Sequence, residues 1–111
     1  HAGHGAESTA VVYFEVEPGQ RLATHTDSAE EVVLVLDGEG IATVGSESAA
    51  VGQGALALVP ALAPHGIEAT GDRTLRCVGF FSAATLTHVF EQKLQPLDVS
   101  VVQTPFVGVP A

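Results

Sequence analysis

Gly19-Gln-Arg-Leu-Ala-Thr-His25-Thr-Asp27-Ser-Ala-Glu-Glu31-Val-Val-Leu-Val-Leu-Asp37-Gly38 is the stretch from which the fold of this 111-residue chain can be read. His25 and Asp27 are two residues apart, so on an extended chain both side chains face the same side. Glu31 follows four residues later and opens Val32 to Leu36, the most strand-like run in the sequence. A histidine and two carboxylates converging on one sheet face are ligand types for a divalent transition metal.

Outward from this stretch the pattern stays β-like. Thr9 to Val16 is rich in β-branched and aromatic residues and reads as a first strand, broken by Pro18-Gly19. Arg21 to His25 is a short second strand, and Glu31 to Leu36 a third. Asp37-Gly38 then gives a hairpin signal that returns the chain as Gly40 to Val44. Ser48–Val51, Ala55–Val59, His65–Ala69 and Arg73–Ser82 follow as further strands, with Gly or Pro between them. Short strands punctuated in this way make an all-β sandwich or barrel. Ala83 to Leu94 fits either a helical turn or a strand. Val99 to Val102 is β-like, and Pro105 and Pro110 leave the end as an extended arm. Its apolar residues Val101, Val102, Phe106, Val107 and Val109 call for cover from the barrel or a second subunit.

Composition narrows the function. Thirteen acidic residues against four basic ones give a formal charge of −9, which argues against nucleic acid and against an anionic membrane surface. No apolar run reaches the length of a membrane helix, and no basic-then-apolar leader is visible. The expected location is therefore cytoplasmic. Cys77 is the only cysteine, so no intramolecular disulfide forms, and its β-like surroundings fit a buried apolar role. The opening His1-Ala-Gly-His4-Gly is set aside as a remnant or trimmed end, which keeps His1 and His4 out of the site.

Three ligand candidates leave room for another imidazole, and His65 and His88 remain. The spacing Gly19, five residues, His25, one residue, Asp27, three residues, Glu31, six residues, Gly38 resembles the first motif of the cupin family. That pattern has a second histidine where this chain has Asp27. Gly54, Pro60 and His65 match the family's second motif by position, whereas Leu62 replaces its second glycine and Ala69 its final asparagine. The resemblance implies a single-domain double-stranded β-helix, or jelly-roll, barrel. It assigns residues 1–8 to a flexible N-terminus or remnant, 9–82 to the barrel, and 83–111 to an extension on the barrel or a partner subunit.

In that family the four motif residues bind a divalent metal, so the resemblance implies His25, Asp27, Glu31 and His65 as ligands for Fe, Mn, Ni or Zn. A carboxylate at Asp27 is an acceptable ligand, and two imidazoles with one carboxylate form the facial triad of non-haem iron oxygenases. Each residue also has a bland reading. Asp27 fits a turn cap at Asp27-Ser28, Glu31 a solvent-facing strand start with Glu30 competing for its role, and His25 and His65 hydrogen-bonded histidines without metal. His88 has no motif support and reads as structural or surface. Arg73 and Arg76 read as surface charges, the alternative being an arginine at the barrel mouth for an anionic substrate.

The functional expectation is a metal-dependent oxygenase of the flavonol- or cysteine-dioxygenase kind acting on a small organic substrate. Glu31 is its candidate catalytic proton carrier. The alternatives are a metal-dependent isomerase, a 2-oxoglutarate-dependent oxygenase using Arg76, a non-catalytic ligand-binding barrel, and a purely structural one. A homodimer is the expected assembly.

Overall fold

A computed structural model describes residues 1–94, 99–104 and 107–110. After a 3-10 turn at Ala2–His4, the strands run β1 (Ala10–Val16), β2 (Arg21–Asp27), β3 (Glu31–Asp37), β4 (Gly40–Val44), β5 (Glu47–Val51), β6 (Leu56–Val59), β7 (His65–Ala69), β8 (Leu75–Phe81), β9 (Leu86–Leu94), β10 (Val99–Thr104) and β11 (Val107–Pro110). They form a four-stranded sheet in the order β1-β8-β3-β6 and a seven-stranded sheet in the order β11-β10-β9-β2-β7-β4-β5. The paired neighbours run antiparallel. This is the all-β sandwich that the strand spacing predicted, in the jelly-roll arrangement that the family resemblance implied, with the core between the two sheets. Among the described residues no helix is long and apolar enough to cross a membrane.

Period-2 alternation sets what faces the core. On β8 Leu75, Cys77, Gly79 and Phe81 are buried, while Arg76 and Phe80 between them are exposed. On β3 Glu31, Val33 and Val35 point inward. Val16, Val59, Ile67 and Ala69 meet them from β1, β6 and β7. Cys77 is a fully buried member of this cluster, and burial pushes its thiol up to about 11, away from thiolate chemistry.

The structure differs from the sequence reading in two places. The Asp37-Gly38 signal makes no hairpin, because β3 pairs with β6 and β8 while β4 pairs with β5 and β7. Gly38 instead carries the chain from one sheet to the other at φ 89°, where a Cβ would press on the Thr74 carbonyl at 2.7 Å. The two-residue hairpin is the one between β4 and β5, around Gly45-Ser46. Ala83 to Leu94, readable either way, contains β9, which pairs with β2 on one side and β10 on the other. Phe106 of the apolar arm lies outside the described residues, while Val102 is buried.

Leu62 occupies the place of the motif glycine and keeps a glycine-like backbone, with φ 66°. Its side chain is exposed, so packing does not compensate for the strain. What holds the turn is its own N–H, which donates to the Asp27 carbonyl at 2.9 Å. The left-handed region costs a residue with a Cβ about 1–2 kcal/mol, against the extra chain entropy of about 0.5–1 kcal/mol that glycine loses on folding. Leu62→Gly is therefore expected to raise stability by roughly 0.5–1 kcal/mol in urea unfolding, and a loss above that size would refute the strain. Leu75→Ala, at a fully buried site, is expected to lower it by about 2–5 kcal/mol.

Candidate metal centre

β2 carries the centre because its burial pattern places His25 and Asp27 on the inner face. Asp27 ends the strand as a residue 2 % exposed, so its side chain belongs to the interior and does not cap the bend after it. The register of β2 against β7 shifts between Leu22 and His25, and the resulting bulge re-aims the end of the strand. Beyond it His25 lies directly opposite His65 on β7, and Phe90 on β9 faces His25 from the other side. The rings of His25 and Phe90 stack at 4.5 Å between centroids, and those of His25 and His65 lie 4.2 Å apart.

Both imidazoles are aimed by the backbone. His25 Nδ1 donates to the Ala23 carbonyl at 2.8 Å, and His65 Nδ1 to the Ala63 carbonyl at 2.9 Å. A carbonyl only accepts, so Nδ1 carries the proton and Nε2 is presented to the interior, the usual second-shell arrangement for a metal-ligating histidine. His65 Nε2 then lies 2.9 Å from Asp27 Oδ2 and 3.4 Å from Glu31 Oε1. The shorter distance would suit a hydrogen bond, but the alignment does not. Neither atom finds a hydrogen-bond partner, although both are fully buried. Charge attraction holds this pair.

His25, Asp27 and His65 bring ligand atoms that all lie within 4.8 Å of one another. Ligands about 2.0–2.2 Å from one ion are spread over a similar span, so the residues present fit a divalent metal. Glu31 stands beside this group. It is 4 % exposed, whereas Glu30 is exposed and drops out as a competitor. Room for the Glu31 carboxylate comes from Gly79 on the neighbouring β8, where a Cβ would collide with it.

The charges follow from the burial. For His65, burial works against the charged form, but Asp27, Glu31 and the Ala63 carbonyl outweigh it, and its pKa is raised to about 10. For Asp27, burial pushes the pKa up, but His65, His88 and His25 hold the carboxyl well below the usual range. His25 is pulled down, chiefly by burial. Glu31 is pushed up by burial, with the negative charge of Asp27 adding to it against the pull of His65. Two buried carboxylates thus divide into one that stays ionised and one that holds a proton more readily.

His88 is the residue that the sequence reading passed over. It sits directly opposite Asp27 on β9, with Nδ1 2.5 Å from Asp27 Oδ1. No local motif announces it, since only the β2–β9 pairing brings it there. His25, Glu31, His65 and His88 form one end of a cavity of about 280 Å³ between the sheets, and Val, Ala, Leu, Ile and Phe side chains form most of the rest. Among the described residues no lysine or arginine lines it. Arg73 pairs with Asp37 at 2.8 Å and Arg76 lies 3.9 Å from Glu15, both exposed, so neither reaches the barrel mouth.

The family model described as the cupin domain matches residues 12–81, which include His25, Asp27, Glu31 and His65 but not His88. No curated protein matches the chain. Among solved structures, the Lactobacillus farciminis oxalate decarboxylase formate complex is similar with a TM-score of 0.74 at 20% identity, over 78% of this chain and 27% of that one. Bacillus subtilis oxalate decarboxylase, a protein with Mn(II) centres, gives 0.73 at 22% identity over 77% of this chain and 24% of its own. A cupin-2 domain from Rhodospirillum rubrum gives 0.66 at 28% identity, over 71% and 53%. The chain therefore spans about a quarter of the length of the decarboxylases, whose likeness is one of fold. With the matched domain covering more than half of its residues, and both sheets of the jelly roll in place, the chain belongs to the cupin family.

Proposed function

We propose that this cupin is a metal-dependent oxygenase for a small, largely apolar organic molecule with one polar end. The observation that carries this reading is the polarity of the cavity: ionisable groups at one end, hydrocarbon over most of the rest, and no lysine or arginine among its described lining residues. Oxalate, the substrate that the names of the decarboxylases imply, is a small dianion, and such a ligand calls for a cationic side chain or a second positive centre. The same absence, with Arg76 outside the cavity, speaks against 2-oxoglutarate as a cosubstrate.

His25, Asp27 and His65 would hold the metal, with Fe(II) and Mn(II) suited to two imidazoles and a carboxylate. A bound ion would supply Lewis acidity and, for these two metals, redox chemistry with O2. The chain's own residues do the remaining work. The apolar walls exclude water and orient the body of the substrate, and the Ala23 and Ala63 carbonyls keep the imidazoles on target. Glu31 faces the cavity with its pKa raised, so it can take a proton from the polar end of the substrate and return it. That role would equally serve a metal-dependent isomerase, which moves a proton without consuming O2.

Metal uptake should release a proton. The Asp27 and Glu31 carboxylates raise the His65 pKa to about 10 from 6.5, so metal-free protein carries a proton on Nε2 at neutral pH. The ion must displace it, and affinity is expected to fall about tenfold per pH unit as the solution is acidified below about 10. Calorimetric titration of metal-free protein with Mn(II), repeated in buffers of different ionisation enthalpy, should show about one proton per ion near pH 8. Uptake independent of pH would contradict the arrangement.

Function itself is tested by O2 consumption of Fe(II)- or Mn(II)-loaded protein with a flavonol, a small thiol and oxalate. Uptake with either of the first two and none with oxalate is the expected result. Turnover without O2 would favour the isomerase, and binding without turnover a ligand-binding barrel. Glu31→Gln keeps shape but cannot carry the proton, so kcat should drop by about 10²–10⁴-fold with metal content unchanged. An unchanged kcat would remove Glu31 from the chemistry.

A further inference from the structure

We propose that His88 is a positioning residue that fixes Asp27 for metal binding through a single oxygen, taking over from the next strand the support that a second motif histidine would make unnecessary. The inference rests on the metal-centre reading above. An aspartate is shorter than a histidine, and its terminal torsion is broad, so Asp27 alone could turn either oxygen, or both, toward an ion. The structure divides the two oxygens. Oδ1 lies 2.5 Å from His88 Nδ1, a charge-assisted contact, and 3.6 Å from His25 Nε2, while Oδ2 lies 2.9 Å from His65 Nε2. With Oδ1 engaged, Oδ2 is the oxygen left for the ion, and Asp27 occupies one coordination position instead of two.

His88 is itself held in place. The register of β2 against β9 sets its backbone opposite Asp27, and its ring meets those of Phe81 and His25 edge-on at 5.8 and 6.5 Å. Its Nδ1 is committed to Asp27, so His88 acts on the ion through that carboxylate. It also lies beyond the matched domain, which ends at residue 81. β9 therefore does more than cover an edge: it supplies the group that makes a carboxylate serviceable at this position.

The test is titration of metal-free protein with Co(II), followed by its visible bands, which report coordination number and symmetry. His88→Leu is expected to weaken Co(II) binding by about 10–100-fold and to shift those bands as Asp27 becomes bidentate or leaves. His88→Asn, whose amide nitrogen sits as many bonds from the backbone as the imidazole Nδ1 and can still donate to Asp27, should recover most of the affinity and the wild-type bands. Binding and bands in His88→Leu equal to wild type would overturn the inference, even if its metal-free melting temperature falls, because a purely structural role lowers stability alone. If His88→Leu does not fold, His88→Ser, too short to reach Asp27, replaces it, and equal Co(II) binding by the Ser and Asn variants overturns the proposal. A wild-type protein that takes up no Co(II) overturns the metal-centre reading and this inference with it. A wild-type protein that binds while His88→Leu binds equally well overturns this inference alone.

Discussion

Burying the Asp27 carboxylate is the constraint on which the rest of the interior depends. Its side chain is almost fully enclosed, and no lysine or arginine side chain among the described residues comes to it as an ion-pair partner. An ionised carboxylate without a counter-charge is expensive in such surroundings. Histidines therefore surround it, with a proton on His65 supplying the positive charge in the metal-free protein. A divalent ion in place of that proton would meet a ring already aimed by the Ala63 carbonyl. The preference for a cation is thus a property of the fold's charge balance before any substrate is considered.

The two sheets divide the labour. β2, β7 and β9 of the larger sheet carry His25, Asp27, His65 and His88, and β3 of the smaller sheet brings Glu31 to the same end of the cavity. Glu31 enters this space only because Gly79 beside it has no side chain. The histidine–aspartate cluster and Glu31 therefore come from different sheets and meet with His65 Nε2 3.4 Å from Glu31 Oε1.

Much of this was legible in the sequence. Strands announced by β-branched runs and Gly or Pro stops fell within a residue or two of their observed limits, as Gly40–Val44 and His65–Ala69 show. The i, i+2 spacing put His25 and Asp27 on one face because period 2 is a local property of an extended chain. Two features were not legible. Asp37-Gly38 has the composition of a hairpin turn, but whether a positive-φ glycine reverses a chain within its sheet or sends it to the other depends on which strands pair, and that is decided by long-range packing. His88 lies in Ala83–Leu94, where strand-like Leu86 to Phe90 is flanked by alanines and by Glu91-Gln92-Lys93, all tolerant of helix. Its role follows from a register with a strand sixty residues earlier, which no window of sequence contains.

The hydrogen bonds that aim His25 and His65 run to carbonyls only two residues upstream, within β2 itself for His25 and just before β7 for His65. The aim of each ring thus travels with a short peptide and needs no distant contact. Asp27 is different, since its orientation is borrowed from another strand. A barrel built in this way is modular: its two imidazoles are aimed as separate local units, while the aspartate between them answers to whichever strand pairs with β2, so cutting β9 away would leave both rings on target and only the carboxylate unsteadied.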